Sequence, residues 1–203
     1  MGYLLAMLVG YLVGCSNMAW YLAKIKKADL RGAGSGNLGA SNATVLLGWR
    51  AGVLTAVHDI GKSVFAVLMM KWLFPDLSYI GAVAGVACVL GHIFPFYLKF
   101  KGGKGFASYF GMTLALNWKL ALIIAVAVVV VTFVTDYIVC GTVTTIVAVP
   151  VYIGITVGWT VAAILCVATA VIFYKHRENF PRMLNGTELG LRSAIRGDNK
   201  IKQ

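Results

Sequence analysis

Long apolar stretches alternate with short polar ones over most of the 203-residue chain. A helix needs about 20 mostly apolar residues to cross the hydrocarbon core of a bilayer, which is about 30 Å thick. The apolar pattern therefore predicts an all-α fold, a polytopic membrane helical bundle. Its predicted spans are residues 2–23, 42 or 50 to 74, 77–98, 118–136, 137–157 and 158–174.

Two segments leave the number of crossings open. The apolar segment at residues 106–116 has 11 residues, roughly 16 Å of helix at 1.5 Å per residue, which is too short for an upright crossing. It is either a re-entrant element or a short, tilted helix. The segment at 137–157 carries Thr142, Thr144, Thr145 and Pro150, so it is a candidate for a broken helix. The pattern favours seven transmembrane helices and gives five if both segments turn back.

The composition excludes two broad classes of protein. Hydrophobic residues make up 60% of the chain and charged residues 12%, and the mean hydropathy is +0.83. A soluble domain carries roughly 25% charged residues. The chain is too apolar for a soluble globular protein or a disordered tail, so lipid must surround most of it. The four cysteines stand alone in apolar stretches without metal-ligand spacing, and we expect no metal site.

The positive charge indicates how the chain lies in the membrane. Lysines and arginines number 18 and acidic residues seven, and the cations concentrate in three polar regions, five at 24–50, three at 99–104 and seven at 175–202. The positive-inside rule places these regions in the cytoplasm, with the N-terminus outside and the tail at 175–203 inside. Because the cations lie in loops between apolar segments, we expect no nucleic-acid partner. No repeat or second domain is visible, which predicts a single domain over residues 1–203.

The first polar region reads RGAGSGNLGASN at residues 31–42. Its glycines match the GxGxxG pattern of dinucleotide-binding proteins, but that fingerprint requires a preceding strand, and a charged stretch precedes it here. Glycines still let backbone N–H groups approach an anion, and a helix beginning near Ser41 would direct its positive end there. Ser35, Asn37 and Asn42 add further donors. The alternative is a flexible loop followed by an ordinary Asn/Ser helix cap.

The second polar region reads GHIFPFYLKFKGGKG at residues 91–105. It is not a Walker loop, because Leu98 occupies the position of the first glycine. Glycines beside Lys101 and Lys104 nevertheless suit a phosphate, since they combine mobile backbone donors with point charges. The alternative is an ordinary positive-inside loop.

The third polar region holds a candidate reactive pair, His176 and Asn179. Their i, i+3 spacing puts them on one face if the last helix continues through them. The alternative for His176 is a simple partner for the dipole at a helix C-terminus.

Together the three regions resemble the PlsY family, the bacterial membrane glycerol-3-phosphate acyltransferases that use acyl phosphate as donor. The family pattern GSGNxGATN appears as GSGNLGASN at 34–42, and GHxFPxFxxFKGGKG appears at 91–105. The pattern HxxNxxRxxxGTE appears at 176–188, and the family's DxxK appears as Asp59 and Lys62 in the second span. The resemblance covers nearly the whole chain.

The resemblance implies a role for each matched residue. The phosphate-binding residues that it implies are Gly34, Gly36, Asn37, Ser41, Asn42, Gly102, Gly103 and Gly105. The cations that it implies are Arg31, Lys101 and Lys104. The residues at the reacting centre are His176, Asn179 and Ser35. His92 and Thr142 are two further substrate contacts. It implies a structural role at the site for Glu188, Asp59 and Lys62, although the last two could equally be a structural ion pair inside an apolar helix.

Five positions depart from the family pattern. Ser41 keeps the hydroxyl of the usual threonine, whereas Val45 removes an arginine that many members have. Val139 and Thr142 replace the usual serines, and Asp136 replaces a common basic residue. The way the donor phosphate is held is therefore open.

The function that the resemblance implies is acyl transfer from acyl phosphate to glycerol 3-phosphate, without cofactor or metal. The product is lysophosphatidic acid (1-acyl-glycerol 3-phosphate), in the first step of membrane phospholipid synthesis. The implied location is the bacterial inner membrane with the site facing the cytoplasm, and the implied partners are membrane lipid and the soluble enzyme that makes acyl phosphate. Either His176 or a substrate phosphate oxygen takes the proton. The alternative function is transport of a small organophosphate. An intramembrane Asp59–Lys62 pair is consistent with a transporter, whereas the absence of an inverted repeat in the sequence is evidence against one.

Overall fold

The computed structural model describes residues 1–196, and over that range the chain is helical without strands. The predicted all-α class is confirmed. In chain order the helices are α1 (Gly2–Cys15), α2 (Met18–Ile25), α3 (Ala40–Leu47), α4 (Trp49–Leu73), α5 (Ile80–Ile93), a short 3₁₀ turn (Phe96–Leu98), α6 (Phe106–Leu116), α7 (Trp118–Thr135), α8 (Ile138–Thr156), α9 (Trp159–His176), α10 (Asn179–Leu184) and α11 (Leu191–Arg196).

Six helical segments of the described part are long and apolar enough to cross a membrane. One of them is the combined α1–α2 segment, and the others are α4, the 80–98 segment, α7, α8 and α9. Large apolar side chains on these helices are exposed, Phe133 by 68% for example, as expected of surfaces that contact lipid. α6 keeps its predicted 11-residue length. The choice between seven and five crossings, and the orientation of the termini, stay predictions.

The chain forms two compact units, Met1–Trp118 and Lys119–Gln203. In the first unit α1 packs on α5 through small residues. A Cβ atom added to Gly10 or Gly14 would collide with the carbonyl of Ala84 or Cys88, so these glycines let the two backbones approach closely. This contact fixes the helix that ends just before the second polar region.

The prediction of one continuous first helix is wrong. The chain leaves the helix at Ser16, and Asn17 begins α2 as its N-cap, with Oδ1 accepting the Trp20 N–H at 2.9 Å. Asparagine is among the preferred N-cap residues, so the break has a local cause. Of the two predicted starts for the second span, the later one is correct, because Gly48 with φ +92° separates α3 from α4.

The second unit contains three long helices, α7, α8 and α9. α8 is continuous through Pro150, so the candidate break in this segment does not occur. The hydroxyls of Thr142, Thr144 and Thr145 each donate to the carbonyl four residues earlier in the same helix.

Candidate active site

The first glycine loop is organised from within by Asn42. This side chain is 3% exposed, and its Nδ2 donates to the carbonyls of Leu30 at 2.8 Å and Asn37 at 3.0 Å. Its Oδ1 accepts the N–H of Ser35 at 2.9 Å. The structure thus gives Asn42 a positioning role, and direct contact of this amide with substrate stays a prediction.

The loop also needs glycine where it turns. Gly34 has φ +61° and Gly36 φ +67°, in the left-handed region that other residues rarely adopt. A Cβ on Gly34 would also collide with Oδ1 of Asn42. Ser35, between the two glycines, is exposed, and α3 begins at Ala40, close to the predicted start near Ser41.

An aspartate turn precedes the loop and sets the place of Arg31. The Asp29 carboxylate accepts the N–H groups of Gly32 at 3.0 Å and Arg31 at 2.9 Å, and these hydrogen bonds hold the pKa of Asp29 below its usual value. Nη2 of Arg31 donates to the carbonyls of Leu98 at 3.0 Å and Lys101 at 2.7 Å. Arg31 therefore ties the first polar region to the second.

The second glycine loop folds back on the segment before it. The N–H of Gly102 donates to the Ile93 carbonyl at 3.0 Å, and the N–H of Gly103 donates to the His92 carbonyl at 3.2 Å. A Cβ on either glycine would collide with His92, with its carbonyl or with its ring. In this structure both amides are bonded to backbone carbonyls, and close packing accounts for the two glycines. Their role as phosphate donors stays a prediction.

Charge and backbone conformation distinguish the rest of this loop. Lys101 is exposed and Lys104 half-buried. Gly105 has φ +95° and is the N-cap of α6, with no side chain capping the helix. The unsatisfied N–H groups and the dipole of α6 add positive potential next to Lys104.

The predicted Asp59–Lys62 pair is present and extends into a buried cluster. Nζ of Lys62 lies 2.8 Å from Oδ1 of Asp59 and 2.9 Å from Nδ1 of His92. All three residues are buried: Asp59 is 1% exposed, Lys62 7% and His92 3%. Sequence reasoning missed His58, whose Nδ1 lies 3.3 Å from Oδ1 of Asp59 and whose Nε2 lies 2.9 Å from Oγ of Ser16. Its only sequence signal is a histidine directly before Asp59 in an apolar helix.

In the second unit, His176 ends α9 and Asn179 begins α10, so the last helix does not continue through the pair as the spacing argument required. Both side chains are buried, at 6% and 5% exposure. Nδ1 of His176 lies 2.8 Å from the Ile172 carbonyl, and Nδ2 of Asn179 donates to Oε1 of Glu188 at 2.6 Å. Glu188 thus orients the amide of Asn179.

Two other predicted positions in this unit have structural partners. The hydroxyl of Thr142, 2% exposed, donates to the Ile138 carbonyl at 3.1 Å, so its contact with substrate stays a prediction. Asp136, the departure from the family pattern, accepts the Arg192 N–H at 2.8 Å with Oδ1 and the Leu191 N–H at 2.7 Å with its carbonyl. It anchors the start of α11.

The fold and these sites define a multi-pass integral membrane protein with cationic, glycine-rich loops suited to phosphate. Comparison with known proteins specifies the class further, because the glycerol-3-phosphate acyltransferase family matches residues 4–186. The glycerol-3-phosphate acyltransferase of Pelagibacter ubique is 36% identical over 93% of this chain and 97% of its own length. That of Thermoanaerobacter pseudethanolicus is 37% identical over 95% and 98%.

A solved structure agrees with these relatives. The crystal structure of PlsY, an integral membrane glycerol 3-phosphate acyltransferase, in its glycerol 3-phosphate form superposes with a TM-score of 0.89 at 31% identity, covering 96% of this chain and 98% of that one. Its lysophosphatidic acid form gives a TM-score of 0.84 at the same identity. The chain belongs to the glycerol-3-phosphate acyltransferase family, and the predicted resemblance to PlsY is confirmed.

Proposed function

We propose that this protein transfers the acyl group of an acyl phosphate to glycerol 3-phosphate and releases lysophosphatidic acid and phosphate. Membership of the family supports an acyltransferase that acts on glycerol 3-phosphate. The observation that carries the proposal is the link between the two glycine loops through Arg31, whose guanidinium donates to backbone carbonyls of Leu98 and Lys101 in the segment that also carries Lys104. Two phosphate-bearing substrates repel each other, and such a group of cations offsets the repulsion.

The reaction does not require a nucleophilic side chain of the enzyme. An acyl phosphate is a mixed anhydride, so the glycerol hydroxyl can attack its carbonyl carbon directly. The new ester C–O bond forms, the C–O bond to phosphate breaks, and phosphate leaves with the electron pair. Proximity of the substrates and electrostatic stabilisation then supply most of the rate.

The hydroxyl proton must go to an acceptor during this attack. Because Nδ1 of His176 pairs with the Ile172 carbonyl, a neutral ring carries its hydrogen there and keeps Nε2 as an acceptor. This tautomer can orient a hydroxyl. The partner of Nδ1 is a neutral carbonyl rather than a carboxylate, so it gives an imidazolium less support than the Asp–His pair of a hydrolase. We infer that a substrate phosphate oxygen takes the proton and that His176 orients the hydroxyl.

Asn179 contributes to the same acyl-transfer step through its side-chain amide. Glu188 accepts one of its two amide hydrogens, which fixes the plane of the amide. An amide held in this way can donate to the oxyanion that develops on the attacked carbonyl. Ser35 is exposed between two positive-φ glycines, and its hydroxyl can donate to a phosphate oxygen.

Turnover by the purified protein tests the proposal. We expect lysophosphatidic acid and phosphate in equal amounts from acyl phosphate and glycerol 3-phosphate, without coenzyme A and in the presence of a chelator. Lys119→Ala, which lies outside the three motifs, is a matched variant that should keep this activity. Acyl-CoA as the sole efficient donor would overturn the donor assignment. Uptake of glycerol 3-phosphate into proteoliposomes without acylation would instead establish the transporter alternative.

We also propose that the three motifs face the cytoplasm of the bacterial inner membrane, where a soluble enzyme supplies acyl phosphate. Single cysteines at the exposed positions Ser35, Lys101 and Asn185, in a background without the four native cysteines, test the orientation. A membrane-impermeant maleimide should label all three in inverted vesicles and none in intact cells lacking the outer membrane. Labelling of any one from outside contradicts the proposed topology.

A further inference from the structure

The second unit contains a link between two distant segments that the proposed reaction does not use. Asp136 lies between α7 and α8 with φ +71°, and Oδ1 of its carboxylate accepts the N–H of Arg192 at 2.8 Å. Its own carbonyl accepts the N–H of Leu191 at 2.7 Å. Arg192 lies 56 residues further along the chain, so a residue between two long helices binds two successive N–H groups of the segment after α10.

Backbone hydrogen bonds, and not the nearby ion pair, make this link. Nε of Arg192 lies 4.0 Å from Oδ1 of Asp136, and the Arg192 side chain is 61% exposed. An exposed ion pair at that distance contributes little to stability. The two N–H groups belong to the first turn of α11, where no carbonyl of the same helix can accept them. Asp136 supplies both acceptors.

The two segments pack closely where they meet. Gly190 is buried, and a Cβ atom there would collide with the Asp136 carboxylate. Position 136 suits an aspartate, because aspartate and asparagine adopt a positive φ more readily than other residues with a side chain. The link therefore depends on the residue type at each of its ends.

The link is the second of two fixed points on either side of Glu188. On one side, the N–H groups of Thr187 and Glu188 donate to the Arg182 carbonyl at 2.8 Å and 3.0 Å. On the other side, the chain is bonded to Asp136 from residue 191 onward. Rotation about the N–Cα bond of Glu188 would move its side chain, and the second fixed point limits this rotation. The Glu188 carboxylate is thereby kept 2.6 Å from Nδ2 of Asn179.

Resting on the proposed function, we propose that Asp136 is a positioning residue for acyl transfer, which holds residues 190–192 and through them keeps Glu188 directed at the Asn179 amide. Asp136 acts through Glu188 and does not itself enter the reaction. Its effect should therefore be on kcat, to which Asn179 contributes, and not on KM for either substrate.

The orientation of the Asn179 amide can be measured without turnover. ¹⁵N-asparagine NMR of the full-length protein, assigned with an Asn179→Asp variant, reports the side-chain amide signals. Asp136→Asn keeps an acceptor and a positive φ, so the Asn179 signals should stay in place. Asp136→Gly keeps the positive φ but lacks the acceptor, and it should shift these signals toward their positions in a Glu188→Ala variant.

The two outcomes of this measurement are distinct from those of the turnover assay. Unmoved Asn179 signals in Asp136→Gly overturn the proposal, whatever the activity of the protein. A shift of these signals, in a protein that carries out no acyl transfer, would support the positioning of Asn179 and refute the proposed function.

Kinetics tests whether the positioning matters for the reaction. Asp136→Gly should lower kcat about tenfold with both KM values nearly unchanged, because a displaced reacting group loses much of its effect. Asp136→Asn should keep most of the activity. Asp76→Gly, the same change at an exposed aspartate of the first unit, is the matched control and should have no effect. Arg192→Ala removes only the weak ion pair and should also keep the activity, and a tenfold loss there would overturn the assignment of the link to the backbone.

A second pair of variants breaks the link from its other end. Leu191→Pro removes the N–H that bonds to the Asp136 carbonyl, at the first helical position, where proline is tolerated. It should lower kcat as Asp136→Gly does, whereas Leu191→Ala, which keeps the N–H, should not. Equal kcat values for the two Leu191 variants would contradict the proposal.

A double-mutant cycle separates positioning from stability. Adding Asp136→Gly to Glu188→Ala should cost little more than Glu188→Ala alone, because both changes release the Asn179 amide. Full additivity of the two effects on kcat would show that Asp136 acts on the fold and not through Glu188, and it would overturn the proposal.

Discussion

The candidate site residues of the two units differ in chemistry. In the first unit they are mostly cations, glycines and small polar residues, and Arg31 joins the two loops that carry them. In the second unit they include an imidazole and an amide, those of His176 and Asn179, which hydrogen-bond to the acceptors Ile172 O and Glu188 Oε1. Charge attracts phosphate in the ground state and the transition state alike, whereas an oriented neutral donor acts most where charge develops. We therefore predict that the residues of the first unit mainly bind substrate and that those of the second mainly serve the chemical step.

The largest expected effect concerns the second unit. Asn179→Ala should lower kcat about 10²- to 10³-fold with little change in either KM, because it removes a donor to the developing oxyanion. Steady-state kinetics with both substrates varied measures the split. Asn185→Ala is the matched control, because this asparagine is exposed at the end of α10 and should have no effect. A rise in KM of the same size with kcat intact would reverse the assignment of binding and chemistry.

The next effect belongs to the first unit. Lys104→Ala should raise KM for glycerol 3-phosphate about 10- to 150-fold, since a hydrogen bond to a charged group contributes about 1.5–3 kcal/mol. Lys119→Ala, a cation outside the motifs, should behave like the natural protein. Collapse of kcat with an unchanged KM would show that Lys104 acts in the chemical step. It would contradict the assignment of binding to the first unit and chemistry to the second.

A third change tests the packing of the second glycine loop. Gly103→Ala should destabilise the protein by about 1–3 kcal/mol, because the added methyl group meets the His92 ring in a closely packed site. Thermal unfolding in detergent measures the loss. Gly61→Ala is the matched control, since a Cβ at that helical position meets nothing within 4 Å and alanine favours a helix. Equal unfolding temperatures for the two variants would contradict the close packing.

The smallest effect should come from His176→Gln. If a substrate phosphate oxygen takes the proton, the variant keeps a polar side chain to orient the hydroxyl and loses less than the 10²-fold or more typical of a general base. The pH dependence of kcat should keep its shape. Near-complete loss of activity together with loss of the acidic limb would identify His176 as the base.

Local features of the chain explain why many elements were predictable. The 11 residues of α6 were predicted to the residue, because a largely apolar run lies between Gly105 and Asn117. The start of α4 could only be narrowed to two positions, because the apolar pattern does not show that Gly48 adopts a positive φ. The break at Ser16 was missed because its cap, Asn17, lies inside an apolar stretch long enough to span the bilayer.

The sequence by itself determined the all-α membrane class, the motifs and the family, because lipid imposes a length and a polarity on every spanning segment. Only the tertiary structure decided what several motif residues do. The N–H groups of Gly102 and Gly103 donate to carbonyls nine and eleven residues earlier in the chain. The Asn42 amide bonds to its own loop, and His92 contacts Lys62 of another helix. A sequence shows which donors and acceptors are present, but the partners that satisfy them are chosen by the fold, since nearly every buried polar group must be paired.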